Sequence, residues 1–117
     1  MSYDIRLLDP VTKKPIQFDK PHQIRGGTYD PSGTTEAWLN VTYNYSSIFE
    51  RLGPKGIRSI YGKTGAKSIP ALTKAIGSLG DNVNKDYWEA TEGNAKRALL
   101  GLLAFAQMRP DGVWAGD

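Results

Sequence analysis

Apolar side chains alternate near the start of the chain: Tyr3, Ile5 and Leu7 fall on one side, with Asp4, Arg6 and Leu8 on the other. That period of two predicts a strand with one buried face. Residues 9–15, Asp-Pro-Val-Thr-Lys-Lys-Pro, supply turn chemistry, and Ile16 and Phe18 then share one side of a short return. An N-terminal hairpin over residues near 2–9 and 15–19 is expected. Residues 20–35, with prolines at 21 and 31 and glycines at 26, 27 and 33, read as loop. The strongest alternation follows at 37–45. Leu39, Val41, Tyr43 and Tyr45 form its core face, while Trp38, Asn40, Thr42 and Asn44 set two amides and a hydroxyl in a row on the other, facing either water or a ligand.

Beyond residue 46 the period lengthens to that of a helix. Ser47 and Glu50 have capping-box spacing, and Ile48, Phe49 and Leu52 make one or two turns that Gly53 and Pro54 stop. Ser68 is the expected cap of a helix near 68–79, whose Ile69, Leu72, Ala75, Ile76 and Leu79 share a face. Thr91 is the expected cap of a second helix over 92–108, which Pro110 prevents from continuing. The middle of that helix, 98–106, is apolar nearly all round, so it should pack on a sheet with one side and on another helix or a second subunit with the other. It is too short to cross a bilayer. Trp114 follows a Pro-Asp-Gly turn and either covers the core or anchors an interface. Strands first and helices later point to a single α+β domain over 1–117, with a small, mainly antiparallel sheet and two main helices on one face.

Composition removes whole classes of chemistry. There is no cysteine, which excludes thiol catalysis and cysteine-held zinc, and the single histidine, His22, cannot build a multi-histidine metal site. No cofactor or metal is expected. His22, next to Pro21, reads as a surface or structural residue more readily than as a base, and Asp4, Asp9 and Asp19 read as strand-end and turn residues. The sequons Asn-Val-Thr and Asn-Tyr-Ser read as accidental, since the opening segment lacks the features of an export signal, and a cytoplasmic protein is expected. Net charge is only +3, yet Arg51, Lys55, Arg58, Lys63, Lys67 and Lys74 run to Gly80 without an acid. Such a segment attracts an anionic partner or serves as a solvated face. A nucleic-acid reader would be more basic overall.

The stretch GPKGIRSIYGKTGAKSIP, residues 53–70, carries a Gly-Lys-Thr triplet. A phosphate loop of the Walker type needs four residues between its glycines, whereas Gly56 and Gly62 have five between them, and a short helix rather than a strand precedes it. ATP hydrolysis is therefore rejected. What survives is an anion held at a helix start by backbone amides with Lys63, Thr64 and Lys67, closed over by Arg25, Gly26 and Gly27 from the earlier loop. In that reading Tyr61 stacks on a base, and Asn40 and Asn44 read its edge. The alternative is a glycine-rich turn with exposed lysines.

YDIRLLDPVT, RGGTY, EAWLNVTYNYS, GIRSIYGKTGAKSIP and NAKRALLGLLAFAQMRPDGVWAGD together resemble a group of small proteins encoded by bacteriophages, prophages and mobile elements of bacteria. The resemblance spans nearly the whole chain and brings no catalytic residue with it. It implies a non-enzymatic binding protein in the host cytoplasm, acting as a counter-defence inhibitor on a host defence component or sequestering its anionic nucleotide signal. Two other classes stand beside it: a protein–protein inhibitor of a host nuclease complex, in the manner of anti-CRISPR proteins, and a small enzyme acting on a nucleotide through His22, an aspartate or a tyrosine.

Overall fold

The computed structural model describes residues 1–22 and 33–117. Strand β1 (Ser2–Leu8) is the middle of a three-stranded antiparallel sheet, between β4 (Trp38–Thr42) and β5 (Val113–Gly116). Tyr3 lies opposite Val41 and Ile5 opposite Leu39, while Leu7 faces Trp114. This register puts every alternating apolar residue of the three strands on one face, which a one-residue slip would undo. Strands β2 (Gln17–His22) and β3 (Thr34–Glu36) form a separate two-stranded antiparallel pair.

The fold class is α+β, as the order of patterns predicts. The return strand at 15–19, however, leaves the main sheet after the turn. Asp9 N–H donates to the Lys14 carbonyl at 2.8 Å and Pro15 bridges Leu8, but from Gln17 onward the chain pairs with β3 instead. The strand expected to run to Tyr45 stops at Thr42, whose hydroxyl accepts from Asn44 N–H and starts a tight helical turn, Tyr43–Tyr45. Helix α1 (Ser46–Phe49) continues that turn; no side chain caps it, so Ser47 and Glu50 do not form the expected box.

Helix α2 (Gly65–Gly77) begins three residues before the expected start, capped by Thr64 rather than Ser68, and α3 (Glu92–Met108) begins after Thr91 as predicted. Leu72 and Ala75 of α2 and Ala98, Leu99, Leu102 and Phe105 of α3 join Tyr3, Ile5, Leu7, Leu39, Val41 and Trp114 in one buried cluster. Both main helices thus cover the same face of the sheet. Among the described residues no helix is long and apolar enough to cross a membrane.

Strand β5 is flanked on both sides. Its second neighbour is the segment 62–64: Gly62 N–H donates to the Trp114 carbonyl at 2.9 Å, and Trp114 N–H donates to the Lys63 carbonyl at 3.0 Å. Gly62 enters this segment at φ +84°, a left-handed conformation that glycine adopts without strain. Trp114 is 1 % exposed, so of the two roles open to it the structure shows the core one.

Candidate functional site

The helix start that resembles an anion cradle holds its own chain. Gly65 N–H donates to the Gly112 carbonyl at 2.7 Å and Ala66 N–H to the Pro110 carbonyl at 2.9 Å. Lys67 N–H donates to Thr64 Oγ1 and Ser68 N–H to the Thr64 carbonyl, both at 3.1 Å. The amides that a helix ordinarily leaves open at its first turn, and that anions use, are all engaged by protein oxygens. Gly65 permits the approach: a Cβ there would lie 2.9 Å from the Arg109 carbonyl oxygen and 3.2 Å from Ala106 Cα. Among the described residues of the predicted site, the groups left to hold an anion here are the exposed Lys63 and Lys67 side chains.

The polar face of β4 is not a solvated row. Asn40 is 7 % and Thr42 1 % exposed. Asn40 Nδ2 donates to Ser2 Oγ at 2.8 Å and Asp4 Oδ1 at 3.0 Å, and Asp4 also accepts from Trp38 Nε1. Thr42 N–H donates to the Tyr87 hydroxyl at 2.8 Å, while Asn44 Nδ2 donates to the Trp88 carbonyl at 2.9 Å. These bonds tie the loop 81–91 across the sheet edge. Asn94, buried at the start of α3, completes the clasp by donating to the carbonyls of Asp86 and Glu89 and accepting from Asn84 N–H. Sequence reading passed over Asn94 because an asparagine in a first helical turn looks like ordinary capping chemistry.

The described residues of the predicted site therefore do not all converge. Asn40 belongs to β4, whereas Thr64 bridges Val113 on the far side of β5. With β1 and β5 between them, three strand spacings of about 4.8 Å each, combined with the four-residue offset along β1 from Asp4 opposite Asn40 to Leu8 opposite Val113, about 13 Å, put these groups roughly 19 Å apart. Tyr61 does not present a free ring: its hydroxyl is enclosed without a hydrogen-bond partner among the described residues, and Gly116 packs so closely that a Cβ there would come 2.5 Å from Tyr61 Cζ. Burial pushes the Tyr61 phenol up to about 12, with the Asp117 charge adding to it. Arg25, Gly26 and Gly27 lie outside the described residues.

What remains on the surface is charge. Lys67 and Lys74 share one exposed side of α2, Lys63 lies in the segment that leads into the helix, and Lys55 lies on an earlier turn; none of the four side chains has an ion-pair or hydrogen-bonding partner among the described residues. The other cations of the segment are committed. Arg51 binds the Ser78 carbonyl and Glu92, and Arg58 donates from Nε to the Asp117 carbonyl while its guanidinium lies 5.1 Å from the centre of the Tyr3 ring.

A cleft of about 680 Å³ lies between β2 and the C-terminal end of α3, lined among others by Phe18, Lys20, His22, Phe105, Met108 and Arg109. The His22 ring sits 5.0 Å from that of Phe105, and its Nε2 lies 2.6 Å from the Glu36 carbonyl oxygen, a structural placement. Arg109 is held at the rim by Asp9 at 3.3 Å and Asp111 at 2.9 Å. Backbone amides of Thr12 and Val11, with Arg109, hold the Asp9 carboxyl below its ordinary range, and hydrogen bonds from Arg109 do the same for Asp111.

Compared with known proteins, the chain matches no family model, no curated protein and no solved structure.

Proposed function

We propose that this chain is a non-enzymatic binding protein of phage or mobile-element origin that docks on an acidic surface of a host defence component. The observation that supports it is the set of exposed lysines without a partner among the described residues, Lys67 and Lys74 on one side of α2, Lys63 just before the helix and Lys55 on an earlier turn. A set of this kind matches an extended acidic surface better than an enclosed small anion, since the backbone amides that would grip a phosphate are already used. His22, Asp4 and Asp9, the groups an enzyme would draw on, each make bonds that hold the fold.

Reversing three of these charges, in Lys63→Glu/Lys67→Glu/Lys74→Glu, leaves the core untouched. The variant is expected to keep the parent's circular dichroism, to lose inhibition of the host defence in an infection assay, and to lose salt-sensitive capture of the defence protein. A folded triple variant that inhibits as well as the parent refutes the reading.

A second reading, sequestration of the defence system's nucleotide signal, is favoured by the cleft at Phe18, His22 and Phe105. Its volume is in the range of small-molecule sites, and the rings of Phe18, His22 and Phe105 stand in its lining beside Lys20 and Arg109. Calorimetry against cyclic and ADP-ribose-type nucleotides decides it: heat of binding abolished by Phe18→Ala supports sequestration, and no heat from any of them removes it.

A further inference from the structure

Asp111 is the one aspartate or asparagine in the sequence that a glycine follows. That pairing matters chemically, because a backbone nitrogen on a residue with no side chain can reach the preceding carboxyl carbon and close a five-membered ring. The structure holds both reacting groups away from that step. Gly112 N–H donates to the Arg109 carbonyl at 3.0 Å and closes the turn from Arg109 to Gly112. The Asp111 carboxylate is gripped by the guanidinium of the same arginine, at 2.9 Å from Nε and 3.0 Å from Nη2. Asp9, on the turn after β1, seats that guanidinium from 3.3 Å. The turn has no slack. A Cβ on Gly112 would lie 2.5 Å from Leu7 Cγ and 2.8 Å from Ile16 Cδ1, and the Gly112 carbonyl accepts from Gly65 N–H at 2.7 Å. Yet the Asp111 side chain is 55 % exposed, so water reaches it.

We propose that Asp111–Gly112 is a modification site, open to spontaneous conversion to isoaspartate, which the Arg109 guanidinium and the turn hold shut while the chain is folded. In the reaction the Gly112 nitrogen bonds to Asp111 Cγ and gives up its proton, and the carboxyl sheds one oxygen as water. Water then opens the cyclic imide. Attack at the backbone carbonyl leaves the main chain running through Cγ, with the composition unchanged. The carboxyl must carry a proton for its oxygen to leave as water, and a guanidinium on both oxygens opposes that proton. The nitrogen, meanwhile, keeps its proton on the Arg109 carbonyl. Arg109 thus guards one reacting group with its side chain and the other with its backbone. Isoaspartate lengthens the backbone by one carbon, and the packing of Gly112 against Leu7 and Ile16 leaves that carbon no room. The converted chain therefore loses the carbonyls of Pro110 and Gly112 that begin α2. The site draws on none of the exposed lysines and stands independently of the binding role.

Long incubation of the full chain at physiological temperature and neutral pH tests this, with isoaspartate read by peptide mapping as a fragment of unchanged mass and altered retention. The folded parent is expected to convert at least roughly tenfold more slowly than the same chain in guanidinium chloride, where the turn is lost. Arg109→Gln, which keeps the backbone bond and removes the charge, should convert roughly tenfold faster than the parent while its circular dichroism shows it folded, and Arg109→Lys, which keeps the charge, should fall between them. The converted fraction of the parent, separated by chromatography, should unfold at a lower urea concentration than the unconverted chain. A parent that converts as fast folded as denatured overturns the proposal, whether or not the variants fold. So does a folded Arg109→Gln that converts no faster than the parent, or a converted chain as stable as the unconverted one.

Discussion

Ser68→Ala removes one oxygen from the seam between α2 and β5, and its effect can be worked out from two bonds. Ser68 Oγ accepts from Trp114 Nε1 at 2.7 Å and donates to the Gly65 carbonyl at 2.8 Å. Ser68 is 0 % and Trp114 1 % exposed, so water does not replace the lost acceptor. An indole N–H left unpaired in the interior costs about 1–3 kcal/mol. Alanine returns up to about 0.5 kcal/mol through its better helix propensity. The net loss is about 1–2 kcal/mol, which for a chain of this size lowers the melting temperature by roughly 4–8 °C. Thermal unfolding followed by circular dichroism measures it directly. The same substitution in a Trp114→Phe background separates the causes, because no indole N–H remains to be stranded and Ser68→Ala should then cost under about 0.5 kcal/mol. An unchanged melting temperature, or an equal penalty in both backgrounds, would refute the reasoning.

Three further outcomes are expected. Gly65→Ala, whose Cβ would press on the Arg109 carbonyl oxygen and Ala106 Cα, should lose about 1–3 kcal/mol in urea unfolding through overpacking at the α2–α3 contact, although alanine is the better helix former; an unchanged midpoint would show that the helices part freely. Tyr61→Phe should hold or gain up to about 1 kcal/mol, since the hydroxyl it deletes is enclosed and unbonded, and a clear loss in the same assay would mean that the hydroxyl has a partner. In alkali, burial keeps Tyr45 and Tyr61 protonated up to about 12, and Tyr87 is raised as well, whereas the unfolded phenols ionise near 10; the stability these groups contribute below pH 10 is therefore lost as the pH rises through 12. Tyrosinate absorbance should then rise together with the loss of circular dichroism, and six tyrosines titrating near 10 in a folded protein would contradict it.

Much of the fold was legible because it is written in local periods. The alternation of β1, the alternation of β4 as far as Thr42, the cap at Thr91 and the long apolar α3 each follow from residues adjacent in sequence. Two elements were not legible for the same reason. Strand β5 is only Val113–Gly116, and it forms through pairing with β1, about a hundred residues away in sequence. The start of α2 was misplaced because Ser68 suits a cap, whereas carbonyls from 110 and 112 permit the helix to begin at Gly65. The candidate site suffered likewise. Asn40, Asn44 and the glycine-rich helix start are polar features of the right chemical type, but each is engaged by partners distant in sequence, Asp4, Trp88 and Gly112, that no periodicity reveals. The exposed lysines were legible, because an exposed charge needs no partner to be read.

The capping of α2 by the turn after α3 also orders events in time. While the chain is being made, residues 62–66 emerge long before Pro110 and Gly112, and until those carbonyls arrive the first amides of α2 have only water to bond. The strand β5 beside β1, the buried seat of Trp114 and the start of α2 are then completed together, by the same short segment, once residues 110–116 have been made. Closing loops of this length is an entropic cost met late and all at once. Folding should therefore behave as a single late step, with α3 and the β1–β4 pair able to form earlier but the molecule staying open along one side until residues 110–116 close it.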